Sequence, residues 1–535
     1  VSPDGARPGG TLRYVASVPA PHPATLYRNG VVHSAADPFA EAVLVADGQV
    51  AWLGPDDAAH RVADGADRVV DLDGALVAPA FVDAHSHLRL AGLAAGATDL
   101  TAMTTQQVLD AVASAGGDLV IGLGWSPARH AEPPGPRELE RASGGRPVVL
   151  LDAELARAQA TPELRADERE DALAGLAVGA VLDSIASRFG GAVEAGLSAA
   201  AAAGVVAVHE HSIPALESRA GLAALLARTA PDDSGVPQVI GYRAELCETT
   251  DDARAVLAEI PGLTGIGGDV AVDGTLAAWG AALRAPYADE PGTSGELLLA
   301  AEQVANHVAS VTRAHAQAGL RVHGDRAMAE ALLGFRAASD VEGIAALHAA
   351  GHRLDGVEMV DAAALATMVL LGLRAVLQPA EVLRRVELAA ARLGPLRVGS
   401  MLPVADLAGA GVPLALGSGV GGFDPWGSVR AAVLHPEAEQ RVSARAAFRA
   451  HTRGGWRLAG LDHAGAGEIR IGAPAHLAIW RADELVVQAP EGRLAAWSTD
   501  PRAGTPLLPA LAPDVPAPQC LRTLRAGHVI HDAMG

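Results

Sequence analysis

Through the middle of the chain, short uninterrupted apolar runs alternate with alanine-rich stretches. The runs are Leu76–Val82, Val205–Val208, Gln238–Tyr242, Gly265–Val272, Leu320–His323, Leu354–Met359, Arg374–Gln378 and Pro413–Leu416. Continuous apolar runs with helical stretches between them fit parallel strands covered on both faces. Eight such units predict a distorted (β/α)8 barrel over residues 78–465. The two ends read differently. Residues 26–77 break into short strands, Leu26–Val32, Ala42–Ala46, Val50–Leu53 and Val69–Leu72, with the hairpin signal Asp47-Gly48 between the second and third. Further strands are expected near Leu477–Trp480 and Cys520–Leu524. The pattern predicts one small composite β-sandwich built from residues 1–77 and 466–535. Two more strand-like runs, Asp118–Leu123 and Pro147–Leu151, fall between the first two barrel units, so residues 95–195 read as an insertion on the barrel.

Composition narrows the function classes. Of 535 residues, 50% are apolar, enough for a large core, and the net charge is −21. That charge opposes binding to nucleic acid or an anionic membrane. Two cysteines, Cys247 and Cys520, cannot build a disulfide framework or a thiolate zinc cluster. The longest uncharged run, Leu407 to Phe423, is short of the ~18 residues a bilayer helix needs and is broken by Pro413. Val1-Ser2-Pro3-Asp4-Gly5 shows no basic segment leading into an apolar one. The expectation is an acidic cytoplasmic protein acting on a small molecule, with no nucleic-acid or membrane partner. All basic residues are arginine; the chain has no lysine.

The strongest chemical signal ends the first barrel strand, in Phe81-Val82-Asp83-Ala84-His85-Ser86-His87. Residues two apart on a strand face the same way. His85 and His87 therefore point together at the C-terminal mouth, where barrel chemistry is built, and two imidazoles there suit a divalent ion such as zinc. The second strand ends Val208-His209-Glu210-His211-Ser212. There His209 and His211 share a face and Glu210 takes the other, a set that can serve as acid and base, help hold a metal, or simply form a polar strand end. Trp125 and Trp279 are candidates for pocket walls or for packing.

From about residue 26 onward the sequence resembles the amidohydrolase superfamily, in the branch that includes N-substituted formamide deformylase. Besides the His-x-His strand, the resemblance rests on Gly122-Leu123-Gly124-Trp125, Val208-His209-Glu210, Val272-Asp273-Gly274, Gly324-Asp325-Arg326-Ala327, Val357-Glu358-Met359, Leu416-Gly417-Ser418 and Thr452-Arg453-Gly454-Gly455. It implies a metal site with two histidines after strand one and a carboxylated lysine or another carboxylate after strand four. Single histidines follow strands five and six, and an aspartate base follows strand eight. The reactions implied are hydrolyses of amides, ureas and cyclic imides by metal-activated water, and the superfamily's habit implies a homodimer.

Carried over residue by residue, that site is depleted. His85 and His87 are present, and Asp269 stands at the strand-four position. The strand-five histidine falls on Arg321; His323 lies two residues on, on the same strand face but ~6.6 Å along it. A two-residue deletion in the loop lets His323 serve as ligand; without it, Arg321 occupies the pocket and its positive charge opposes a cation. The strand-six histidine is replaced in Asp355-Gly356, and the strand-eight aspartate in Gly417-Ser418-Gly419. Asp424 reads as the cap of the following helix. Two readings stand. In one, the chain is a hydrolase with one zinc-like ion at most, held by His85, His87, Asp269 and His323, with Glu210, His209 or His211 as catalytic base. In the other, it is an inactive pseudoenzyme, metal-free, whose barrel binds a small molecule or acts as a scaffold.

Overall fold

Eight parallel strands follow one another around a single axis: β1 (Phe81–Ser86), β2 (Val205–Ser212), β3 (Gln238–Arg243), β4 (Gly265–Ile266), β5 (Gln317–Arg321), β6 (Arg353–Asp355), β7 (Arg374–Leu377) and β8 (Leu414–Leu416). The computed structural model describes residues 23–100, 103–125, 133–151, 158–160, 191–214, 216–419, 421–488, 497–498 and 505–534. Every residue of β1 and β2 is buried, because helices cover the outer face while the barrel interior takes the other. The seam closes where Gly419 N donates to His85 O at 2.9 Å and Ser86 bridges Gly419. The fully buried carboxylate of Asp83 pins it from inside, accepting from the Ser418 amide at 3.1 Å and the Ser418 hydroxyl at 2.5 Å.

Two strands depart from the sequence pattern. The run Gly265–Val272 is interrupted after Ile266, because Gly267 and Gly268 take φ of +104° and +81°, a region L side chains rarely enter. Pairing resumes beyond the turn, where Ala271 bridges Arg321. Strand β5 begins earlier than the apolar run suggests and ends at Arg321, leaving His323 in the loop that follows.

The chain ends share one sheet. Leu76–Pro79 pairs antiparallel with Leu477–Arg481, which pairs in turn with Gln519–Arg525. A second sheet of Gln49–Gly54, Ala42–Ala46, Thr25–Arg28 and Arg68–Asp71 packs against it. Tyr27, Val43, Val77, Leu477, Ile479 and Leu521 are among the side chains between them. Residues 1–22 of the expected sandwich lie outside the described residues. A three-stranded sheet of Leu485–Gln488, Trp497–Ser498 and Leu508–Pro509 was not anticipated; its strands are too short to show a period.

Among the contacts that join this sandwich to the barrel, two stand out. Arg525, 1% exposed, donates to the carbonyls of Thr229 and Ala230 at 2.7 and 2.8 Å, meeting the open C-terminal end of helix Arg219–Thr229. Phe81 meets Trp426, Phe448 and Trp480 edge-on, at centroid distances of 5.1, 5.3 and 5.7 Å. A chain with only 3% aromatics has placed four of them at one joint. Phe81→Ala should therefore cost about 3–5 kcal/mol, read as a lower urea midpoint; a loss below ~1 kcal/mol would show that the joint carries no weight.

Within residues 95–195, Thr98–Asp99, Val120–Leu123, Val148–Leu151 and Ala158–Ala160 form a four-stranded sheet. Its core includes Val108, Val120, Trp125, Leu139 and Val148, so Trp125 is packing. Among the described residues no helix is long and apolar enough to cross a membrane. The uncharged run Leu407–Phe423 supplies the end of helix Val404–Gly409 and strand β8.

Candidate active site in the barrel mouth

The period of strand β1 sends His85 and His87 to one side, and the Gly267-Gly268 turn brings Asp269 back over them. His87 Nε2 lies 3.8 Å from Asp269 Oδ2, and His85 Nε2 lies 4.0 Å from Asp269 Oδ1. The other ring nitrogens fix the tautomers. His87 Nδ1 sits 2.8 Å from the carbonyl oxygen of His211. A carbonyl only accepts, so the proton is on Nδ1 and the Nε2 lone pair faces Asp269. His85 Nδ1 is 2.9 Å from Asp355 Oδ1, a carboxylate already clamped by Arg353, so the same tautomer follows. Burial, more than any neighbour, lowers the His87 imidazole to about 4, which keeps it neutral near pH 7. Two lone pairs thus face two carboxylate oxygens in a site where the Asp269 side chain is 5% exposed. That arrangement repels itself unless a cation lies between. Zinc with ligands at ~2.0–2.2 Å has ligand–ligand edges of roughly 3.3–3.6 Å, shorter than both contacts, so the side chains must close in to seat an ion. The donor set fits a single divalent ion.

A cation is already close. Arg321 at the end of β5 places NH1 2.9 Å from Asp269 Oδ1. Although burial pushes the Asp269 carboxyl up, Arg321 and the imidazoles hold it below the usual range. His323 turns elsewhere: its Nδ1 lies 3.0 Å from Glu358 Oε1. Arg385 shares that carboxylate at 2.8 Å. Burial opposes ionisation of Glu358, but Arg385 and His323 outweigh it and bring the carboxyl to about 2. The structure therefore brings together His85, His87 and Asp269, and directs His323 to the Glu358 carboxylate.

A second cluster, His85, His211 and Asp355, lies deeper in the barrel. It is filled without a metal. Arg353, fully buried, donates to Asp355 Oδ1 at 2.5 Å and Oδ2 at 2.8 Å, and to the Ala84 carbonyl at 2.6 Å. Its NH1 also donates to His209 Nδ1 at 2.9 Å, and its guanidinium lies over Tyr242 at 4.4 Å. A guanidinium that supplies the positive charge leaves no need for a second one. His211 is stacked between His85, at 3.9 Å, and Tyr242, at 5.0 Å, and neither ring nitrogen has a hydrogen-bond partner. Burial holds His209 and His211 well below their ordinary value, and the Arg353 guanidinium acts in the same direction. Glu210 occupies the opposite face of β2, where Oε2 accepts from Leu88 N at 2.7 Å. Burial raises its carboxyl to about 7. A cavity of about 10 Å³, room for roughly one water, lies beside Glu210, His87 and His211.

The positions where the superfamily carries its remaining groups are glycines with positive φ, crowded by neighbouring side chains. Gly356 has φ +74° and faces His323, 3.2 Å from where a Cβ would stand. Gly419 has φ +76°, and the Glu381 carboxylate fills the space of its missing side chain. Asp424 caps helix Pro425–Val433, accepting from Gly427 N. Trp279 donates to Asp289 at 3.2 Å and lies under Arg392 at 3.5 Å, which makes it packing. The buried Arg353–Asp355 pair is the part of the site that pattern reading passed over. Its signal is two opposite charges at i and i+2 inside an apolar strand, both on the inner face.

Comparison with known proteins places the fold. A crystal structure of an uncharacterised metal-dependent hydrolase from Pyrococcus furiosus superposes with a TM-score of 0.66 at 22% identity, covering 85% of this chain and 98% of that one. One from Pyrococcus horikoshii OT3 gives 0.68 at 21%, covering 86% and 98%. At that identity the likeness is one of fold. Among curated relatives, an imidazolonepropionase of Salinispora arenicola is 55% identical over 51 residues, 10% of this chain and 12% of that protein. An N-substituted formamide deformylase of Arthrobacter pascens is 31% identical over 124 residues, 21% and 23%. The matches thus span less than a quarter of these relatives' length. The amidohydrolase family model, by contrast, matches residues 68–531, and over that span, which takes in the whole barrel, the chain belongs to the amidohydrolase family.

Proposed function

We propose that the chain is a hydrolase of a non-peptide carbon–nitrogen bond, of the amide, formamide, urea or cyclic-imide class, dependent on one divalent ion held by His85, His87 and Asp269. One observation carries this reading: two Nε2 lone pairs, fixed by their Nδ1 partners, converge on one buried carboxylate. A zinc ion there supplies Lewis acidity to the substrate carbonyl and the attacking water. The chain's own residues do the rest. Asp355 and the His211 carbonyl hold the two imidazoles in the ligating tautomer, the outer-shell support that such ligands need. His211 backs His85 by stacking, and the Arg353 guanidinium keeps Asp355 ionised. Glu381, on helix Pro379–Arg384 and 3.6 Å from Arg385, fills the space beside Gly419 at the end of β8 and is the candidate base where the superfamily carries its aspartate.

A second reading, a barrel without turnover, is favoured by one contact. Arg321 holds a permanent positive charge on Asp269, where an ion would otherwise sit. The two readings separate on metal content together with hydrolysis of N-substituted formamides, simple amides and cyclic imides. The first expects up to one equivalent of zinc per wild-type chain and turnover of one class that a chelator abolishes. Metal-free protein without turnover, after dialysis against excess zinc, would leave the scaffold reading in its place. Arg321→Met removes the competing charge at a quarter-exposed position and should raise zinc affinity about tenfold to a hundredfold. Unchanged affinity would show that Arg321 yields to the ion without cost.

A further inference from the structure

Beside the N-terminal end of β1, about 20 Å along the strand from the histidines, a cleft of about 170 Å³ opens between the sandwich and the barrel. Its floor is apolar: Pro79, Phe448 and Ile469 are buried there. His33 forms one wall, donating Nδ1–H to the Leu507 carbonyl at 2.8 Å and meeting Phe448 edge-on at 5.2 Å. Burial lowers that imidazole to about 4, so it adds no charge near neutral pH. The rim carries Arg445 and Arg449. They lie four residues apart on helix Ala444–Ala450, so like charges share one face, an arrangement that opposes itself. Both are exposed, and among the described residues no carboxylate pairs with either. Among the described residues the one acidic group in the wall, Glu468, is already met by Arg453 at 2.6 Å and Arg470 at 3.7 Å. A concave site with two uncompensated guanidiniums, on a chain of net charge −21, concentrates positive potential where the rest of the surface repels anions.

We propose that this cleft is a binding site for a small organic carboxylate. The carboxylate pairs with Arg445 and Arg449, whose planar donors match its two oxygens. An apolar body about the size of one ring covers Phe448, Ile469 and Pro79. An inorganic oxyanion satisfies the arginines but leaves that floor wet, so the apolar body decides the ligand class. The site is distinct from the barrel mouth and shares none of its side chains.

The test is calorimetric titration of the full chain with benzoate, cyclohexanecarboxylate and inorganic phosphate. Both carboxylates should bind with dissociation constants near about 1 mM or tighter, in keeping with ligands of this size, and phosphate at least about tenfold more weakly. The double variant Arg445→Ser/Arg449→Ser should weaken benzoate at least about tenfold, and Arg449→Gln alone by a smaller factor. Both changes are at exposed positions, and an unaltered circular dichroism spectrum checks the fold. Arg321→Ser should leave benzoate binding unchanged. The proposal is overturned by any of four results: no benzoate binding at about 10 mM, equal affinity in the double variant, phosphate binding as tightly as benzoate, or loss of benzoate in Arg321→Ser, which would place the anion in the barrel mouth.

Discussion

An Asp269→Ala chain should stay folded and lose zinc affinity by about a thousandfold or more. Three ligand atoms converge in the mouth, and Asp269 is the only anion among them. Its removal takes away one ligand bond and the charge that neutralises the ion. It also frees the Arg321 guanidinium, now 2.9 Å from that carboxylate, to repel any cation that enters. The three effects act in the same direction. A single outer-shell partner is already worth about ten- to a hundredfold in metal affinity, so a ligand plus a charge reversal exceeds that. His87→Ala should behave similarly, though with a smaller loss because Asp269 remains. His323→Ala is the contrast. Its Nδ1 is engaged by Glu358, and zinc affinity should change by no more than about threefold. Competition against a chromophoric chelator reads all three. Equal losses in His323→Ala and His87→Ala would move the centre toward β5, and an unaffected Asp269→Ala chain would remove the case for this ligand set.

Arg353→Met should be the most destabilising single change in the barrel interior, at about 3–5 kcal/mol. Arg353 and Asp355 are both fully buried, and each is the other's main counter-charge. Truncating the guanidinium leaves a carboxylate with only the His85 N–H in a dry interior, and strips a donor from the Ala84 carbonyl and from His209. The penalty comes from the stranded charge more than from the lost bond energy. Asp355→Leu added to Arg353→Met should therefore recover part of the loss, because the double variant buries no charge. Urea unfolding of wild type, single and double variants makes the comparison. A double variant less stable than Arg353→Met would mean that the network, and not the isolated charge, sets the cost.

The expected ion affinity and the interior stability meet at His85. One of its nitrogens faces the metal position and the other is held by the Arg353–Asp355 pair. Disturbing the pair should loosen the ring that the ion needs. The superfamily's own groups cannot simply be put back. A side chain at 419 would stand where Glu381 is, and one at 356 would be forced into positive φ against His323.

Features that depend on local periodicity were legible in the sequence by itself. Six of the eight barrel strands lie within or across their apolar runs without a break or shift of the kind seen in β4 and β5, and the shared direction of His85 and His87 was read from the two-residue repeat of a strand. Both chain ends carry the same short-strand pattern, and the structure pairs Leu76–Pro79 with Leu477–Arg481. What only the tertiary structure decided are the contacts between distant segments. Asp269 reaches the histidines because two consecutive glycines turn backward after Ile266, and composition alone does not reveal their φ. Arg321, and not His323, faces Asp269 because β5 ends one residue before the loop begins, a boundary set by its pairing with neighbouring strands. The support of His85 by Asp355 crosses 270 residues of chain. Closing a barrel sets strands one and six facing each other across its interior, and the sequence carries no local trace of that distance.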